Sequence, residues 1–107
     1  MPYGHASPKP ISPRQARAEM QANSNAIMLD VRTKKEYDSG HIAGATLLPD
    51  SKIEALAPQL LPDKNALIIV YCKSGGRSYS ATNILTSMGY TNVYNLGGIN
   101  SWPYERE

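Results

Sequence analysis

Cysteine occurs only once in this chain of 107 residues, at position 72. A lone cysteine excludes an internal disulfide framework and a Cys-x-x-Cys redox pair, and it fits a reducing compartment. Histidine is nearly as scarce. His5 and His41 have no partner at metal-ligand spacing, so no metal is expected, and nothing in the chain implies a cofactor. Charge of one sign is not in marked excess: 11 Lys and Arg against 9 Asp and Glu leave a net charge of +2. There is no basic run and no interleaving of basic with aromatic residues, which argues against nucleic acid as a partner. No apolar run approaches the ~20 residues of a membrane span. Residues 1–10 also lack the apolar stretch of a secretory signal. The expectation is a soluble, cytoplasmic chain without membrane partners, long enough for one core and too short for two.

What is present starts with the setting of Cys72. The apolar run Ala66-Leu-Ile-Ile-Val-Tyr71 breaks at this cysteine into the polar, glycine-rich stretch Lys73-Ser-Gly-Gly-Arg-Ser78. Beyond it Ala81, Ile84, Leu85 and Met88 recur at the spacing of one helical face. The thiol is therefore placed between a strand's end and a helix's start. Free N–H groups of a first helical turn favour an anion there, and Lys73 and Arg77 add two cations. Such a setting lowers a thiol's pKa from ~8.5 to ~7 or below.

The remaining elements follow from caps and periodicity. Residues 1–10 carry three prolines and a glycine and read as an extended arm. Ser12-Pro13-Arg14-Gln15 offers an N-cap, a proline at the first helical position and a capping-box partner, which predicts a helix from Pro13 to about Ala22. Residues 26–31 form a continuous apolar run of strand formers, the pattern of a strand covered on both faces. Thr33 caps a short helix over residues 34–39 with Glu36 as the reciprocal partner, and Gly40 stops it. Residues 45–48 read as a strand, and Ile53, Leu56, Ala57 and Leu60 trace one face of another helix. Residues 66–71 and 92–96 are strands, and the helix of residues 77–88 lies between them. Alternation of strand and helix argues for an α/β fold with a parallel sheet and helices on both faces. In such sheets ligands bind beyond the carboxyl ends of strands, where Cys72 stands.

Three stretches together resemble the single-domain rhodanese, or thiosulfate sulfurtransferase, family: Leu29-Asp-Val-Arg-Thr-Lys-Lys-Glu-Tyr-Asp-Ser-Gly-His-Ile-Ala-Gly-Ala45, Cys72-Lys-Ser-Gly-Gly-Arg-Ser78 and Asn95-Leu-Gly-Gly-Ile-Asn-Ser-Trp102. The resemblance covers residues 11–104, leaving residues 1–10 as an arm and 105–107 as a tail. It implies a five-stranded parallel sheet flanked by helices, with Cys72 as a nucleophile that takes sulfur from a small anionic donor such as thiosulfate. The persulfide so formed passes its sulfur to cyanide or a thiol, a protein thiol included. On this reading the backbone N–H groups from Lys73 to Ser78 cradle the anionic sulfur, and Gly75 and Gly76 let the loop curl. Arg77 either orients the donor, the preferred role, or braces the loop; Lys73 joins the pocket. Ser78 either bonds the persulfide or caps the helix.

Structural support is assigned to Asp30 as an acceptor for loop hydrogen bonds, to Arg32 through a pair with Glu36, and to His41 as a hydrogen-bonding residue. Gly97 and Gly98 are expected to allow close approach of two backbone segments near the active-site loop, and Trp102 to pack. The family also contains cell-cycle-type phosphatases, whose loop has one residue more between cysteine and arginine. Here Lys73, Ser74, Gly75 and Gly76 make a shorter ring, which disfavours a phosphatase or arsenate reductase. A persulfide carrier or docking module serving a protein partner stays open beside the sulfurtransferase, since both need the same loop.

Overall fold

The computed structural model describes residues 7–107. The first part of the expected arm lies outside the described residues. Its end does not behave as an arm: Lys9–Pro10 forms a short edge strand, β1, paired in parallel with a later strand at Lys9–Tyr94 and Pro10–Asn95. Proline fits this place because an edge strand can spare one N–H. Helix α1 runs over Pro13–Ala22 with the Ser12/Gln15 capping box and an N-terminal proline. It leads to β2, Ile27–Asp30. Helix α2, Lys34–Asp38, opens on the Thr33/Glu36 capping box. Strand β3 is short, Thr46–Leu47. A 3-10 turn at Asp50–Lys52 runs into α3, Ile53–Leu60. Strand β4, Ile68–Cys72, is buried throughout. Helix α4, Gly76–Ser87, and β5, Val93–Gly98, follow, and a 3-10 turn covers Ile99–Ser101.

The five strands make one parallel sheet in the order β1-β5-β4-β2-β3. Because side chains alternate along a strand, β4 feeds two cores. Ile68, Val70 and Cys72 face the layer of α3 and α4 with Ile53, Ala57, Ala81 and Leu85. Ile69 and Tyr71 face the layer of α1 with Ala16, Met28, Ile42 and Trp102. The chain leaves β4 toward β5 on one side, while β2 and β3 lie on the other. The carboxyl end of β4 is thus the point where strand order reverses, and the crevice of an open parallel sheet forms there.

The β4–β5 register slips after Val70–Asn95, so that Tyr71 pairs with Gly97 and Cys72 with Gly98. Leu96 is the extra residue of this bulge, and Gly97 after it takes φ +93°, a conformation that side chains resist. The bulge sets Gly98 beside the loop that follows Cys72. Residues 105–107, expected as a tail, also pair: the N–H of His41 and the carbonyl of Glu107 are 2.9 Å apart, and the N–H of Ala43 reaches the carbonyl of Glu105 at 3.1 Å. Among the described residues no helix is long and apolar enough to cross a membrane.

Candidate active site

Cys72 is the last residue of the central strand and only 1% exposed, so its sulfur lies at the floor of the loop that follows. Gly75, at φ +111°, turns that loop and serves as the N-cap of α4; its N–H points at the sulfur with 3.0 Å between N and Sγ. Burial pushes the thiol's pKa up. Hydrogen bonds from the Ser78 hydroxyl and from the backbone N–H groups of Ser78, Gly75 and Ser74 outweigh that, and the net shift is downward. The thiolate is therefore favoured by the amide ring and one hydroxyl.

Ser78 does not cap the helix: Gly75 is the N-cap of α4 and no side chain caps it, while the buried Ser78 hydroxyl donates to the Gly75 carbonyl at 3.0 Å and helps lower the pKa of the sulfur. Lys73 and Ser74 are exposed, as is Gly76 at the start of α4. The ammonium of Lys73 makes no ion pair among the described residues.

Arg77 departs from its preferred sequence-based role. Its guanidinium grips Glu36 with two hydrogen bonds, Nη1 to Oε1 at 2.7 Å and Nη2 to Oε2 at 2.9 Å. Those bonds hold the Glu36 carboxyl down to about 2 and raise Arg77, which also feels the negative charge of Cys72 and Asp50. With both prongs occupied, bracing the loop against α2 is the role the geometry supports, in place of orienting a donor.

The expected pair between Arg32 and Glu36 is not formed. Arg32 follows Asp30 by two residues, on the same side of an extended chain, and takes that carboxylate instead: Nε to Oδ1 is 3.0 Å and Nη2 to Oδ2 is 2.7 Å. Asp30 accepts a loop hydrogen bond as well, from the backbone N–H of Arg32 at 2.9 Å. Arg32 donates onward to the carbonyl of Gly40 at 2.8 Å. Tyr71 completes the cluster, donating its hydroxyl to Asp30 at 2.7 Å and accepting from the N–H of Ile42 at 3.1 Å. Burial first and Asp30 second push the Tyr71 phenol's pKa up, while the bonds to Asp30 raise Arg32. This buried network pins the turn of residues 40–42 to the strand that carries Cys72.

His41 sits in that turn, stacked on Tyr37 with ring centroids 3.7 Å apart and Nδ1 2.9 Å from the Tyr37 carbonyl. Its Nε2 stands 3.5 Å from the Glu107 carboxylate. Both nitrogens are thus engaged away from the sulfur. Gly98 meets the active-site loop directly: a Cβ there would stand 2.6 Å from the carbonyl oxygen of Lys73 and 3.1 Å from Cα of Ser74. Trp102 is buried in the α1 layer and donates Nε1–H to the Glu105 carbonyl.

Three residues of the site escape a reading of the sequence. Tyr71 hides inside an apolar run, where its hydroxyl is the single polar atom and Asp30 is its cross-strand partner. Asn100 and Arg106 lie in the segments after β5, beside Lys73 in a cleft of about 470 Å³. Arg106 is brought there by the pairing of residues 105–107 with 41–43, for which no sequence signal exists.

The Rhodanese-like domain family profile matches residues 12–105. Thiosulfate sulfurtransferase PspE of Escherichia coli is 39% identical over 71 residues, 66% of this chain and 68% of that protein. Thiosulfate sulfurtransferase GlpE of Pseudomonas entomophila is 37% identical over 95 residues, 88% of this chain and 84% of that one. In three dimensions the Alr3790 protein of Anabaena superposes with a TM-score of 0.85 at 27% identity, over 91% of this chain and 90% of that one. With the family profile matching residues 12–105 and these relatives matching in sequence and in three dimensions, the chain belongs to the rhodanese-like domain family.

Proposed function

We propose that the protein is a sulfurtransferase that moves a sulfane sulfur from a small anionic donor such as thiosulfate to a thiophilic acceptor through a persulfide on Cys72. One observation carries the reading: a single thiol at the carboxyl end of the central strand, with the Gly75 N–H 3.0 Å from Sγ and its pKa drawn downward by the loop that follows. In the first step the Cys72 thiolate attacks the outer sulfur of thiosulfate. The new Sγ–S bond forms as the donor's S–S bond breaks, and sulfite leaves with the electron pair. In the second step an acceptor thiolate, or cyanide, attacks the outer sulfur of the persulfide. The Sγ–S bond breaks and its pair returns to Cys72. This is covalent catalysis with double-displacement kinetics.

The amides that favour the thiolate would serve the terminal sulfur once it is bound, as preorganised donors that need no reorganisation. Glu36 and Arg77 hold the loop in shape, and Asp30, Arg32 and Tyr71 hold the facing turn. A reducing compartment such as the cytoplasm suits the cycle, because a lone thiol must be reduced to start it. The names of the PspE and GlpE relatives support thiosulfate as the donor. The test is intact mass spectrometry after thiosulfate treatment: a gain of one sulfur atom that cyanide removes is expected. No added sulfur on a folded, reduced protein would overturn the proposal.

A further inference from the structure

The cleft beside the active-site loop is lined by three cationic side chains, Arg32, Lys73 and Arg106. It spans about 470 Å³ and is walled by Arg32, Lys73, Asn100 and Arg106, with Glu36 the one carboxylate among the described residues that line it. Glu36 is already committed to Arg77. The Arg32 side chain is only 7% exposed, and Nε and Nη2 are spent on Asp30 and Gly40. Its Nη1 has no acceptor among the described residues. A buried guanidinium that lines a cleft and keeps one nitrogen without an acceptor among the described residues is an unmet hydrogen-bond demand, and buried polar groups ordinarily have partners. Arg106 repeats the pattern. Its Nη2 donates to the carbonyls of Ile99 and Trp102, which fixes the side chain, while Nη1 and Nε find no acceptor among the described residues. The Lys73 ammonium and the Asn100 amide also find no side-chain partner among the described residues.

Such a set of donors suits carboxylate oxygens, which a guanidinium grips with two parallel hydrogen bonds. A cleft of this size is within the range of small-ligand sites and exceeds what one oxyanion needs. Its wall includes Lys73, the residue next to Cys72.

We propose that this cleft is the acceptor subsite, and that it selects a small thiol bearing carboxylate groups by binding those groups to Arg32 Nη1, Lys73 and Arg106. The inference rests on the sulfurtransferase reading for its chemistry but not for its binding. The bound thiolate attacks the outer sulfur of the Cys72 persulfide. An S–S bond forms in the acceptor, the Sγ–S bond breaks, and the electron pair and negative charge return to Cys72. The acceptor leaves as a persulfide whose terminal sulfur is anionic, as it was on Cys72.

Two experiments test binding and transfer separately. Succinate, a dicarboxylate without a thiol, is titrated by calorimetry or NMR into the Cys72→Ser protein, which cannot carry sulfur. Saturable binding is expected, weakened roughly tenfold when Arg106→Ala is added, as loss of a charge-assisted contact implies. Asn100→Asp, an exposed change that puts a negative charge in the cleft, should weaken it similarly should Arg106→Ala fail to fold. The second experiment compares discharge of the persulfide by mercaptosuccinate and by neutral 2-mercaptoethanol at equal thiolate concentration. Mercaptosuccinate should show the lower KM, and Arg106→Ala should raise that KM while leaving kcat nearly unchanged. Absence of succinate binding, binding indifferent to both substitutions, or equal KM values for the two thiols would overturn the subsite. Failure to form any persulfide would sink the sulfurtransferase reading alone, since the succinate titration stands without it.

Discussion

Arg77 and Glu36 join the first turn of α4 to the first turn of α2 through two hydrogen bonds of 2.7 and 2.9 Å. The same carboxylate closes the capping box of α2 by accepting from the Thr33 backbone at 3.1 Å. One side chain thus ties a helix cap to the nucleophile loop. Arg77→Ala should lower stability by on the order of 1 kcal/mol, since both partners are about a third exposed or less and solvent screens the pair. Persulfide formation should also slow, because Gly75 and Ser78 sit on the turn that Arg77 braces. Arg77→Lys should recover part of the melting temperature but not the two-pronged geometry. Melting curves and stopped-flow sulfite release on the same samples check this; a loss of activity at unchanged stability would return Arg77 to the donor-binding role.

The same pair sets an acid limit. Hydrogen bonds from Arg77 are the main cause that holds Glu36 down to about 2 in the fold. An unfolded glutamate titrates near ~4.3. The pair's contribution is therefore complete above ~4.3 and disappears as pH falls from there through about 2. Glu36→Gln keeps an oxygen able to close the capping box but removes the charge and puts an amide donor where Oε2 accepted from Arg77 Nη2. Its stability deficit against the parent should be constant near neutral pH and shrink as pH drops from 4 toward 2. Urea midpoints over that range decide it, and a deficit that does not shrink would mean the ion pair is not its source.

Alkylation kinetics read the state of Cys72. The midpoint for the free protein should lie below the ~8.5 of an unperturbed thiol. The Ser78 hydroxyl leads the hydrogen bonds that lower it, so Ser78→Ala should move the midpoint upward. Cys72→Ser should abolish persulfide formation and sulfite release in a folded protein, because the chain has no second thiol. Retained thiosulfate:cyanide transfer in that variant would exclude Cys72 as the carrier.

Gly98→Ala tests the contact between β5 and the loop. The added Cβ would meet the Lys73 carbonyl at 2.6 Å, a backbone atom that cannot swing aside. Relief requires the loop to shift, at a cost of roughly 1–3 kcal/mol. Activity should fall more than stability, since Lys73 flanks the nucleophile. Full activity in Gly98→Ala would show that the loop tolerates displacement.

Local signals account for what the sequence made legible. The Ser12/Gln15 and Thr33/Glu36 capping boxes place two helix starts to the residue, and the run ending at Cys72 defines the central strand. What escaped depends on long-range geometry. Lys9–Pro10 is too short to show a period and becomes a strand only because β5 offers an edge. Glu36 lies four residues from Arg32, a spacing that invites a pair along the chain, yet Asp30 is nearer on the strand and Arg77 nearer through space. Arg106 enters the cleft through pairing of residues 105–107 with 41–43, which nothing local to either segment announces.

Loop length separates the two enzyme chemistries open to this fold. Four residues stand between Cys72 and Arg77, and the ring they form already brings the Gly75 N–H to 3.0 Å from Sγ. A ring this tight is expected to fit one terminal sulfur and to be too small for a tetrahedral phosphate in line with the thiolate. Aryl-phosphate hydrolysis by the unaltered protein should be negligible. Inserting one glycine between Gly75 and Gly76 restores the phosphatase spacing at little steric cost, since glycine accepts either sign of φ. Thiosulfate transfer should then collapse, because a displacement of about 1 Å at a reacting centre can cost ~100-fold in rate. Sulfite release and p-nitrophenyl phosphate hydrolysis, measured on both proteins, read the two activities directly. Efficient phosphate hydrolysis by the parent chain, lost in Cys72→Ser, would replace the sulfurtransferase reading with a phosphatase.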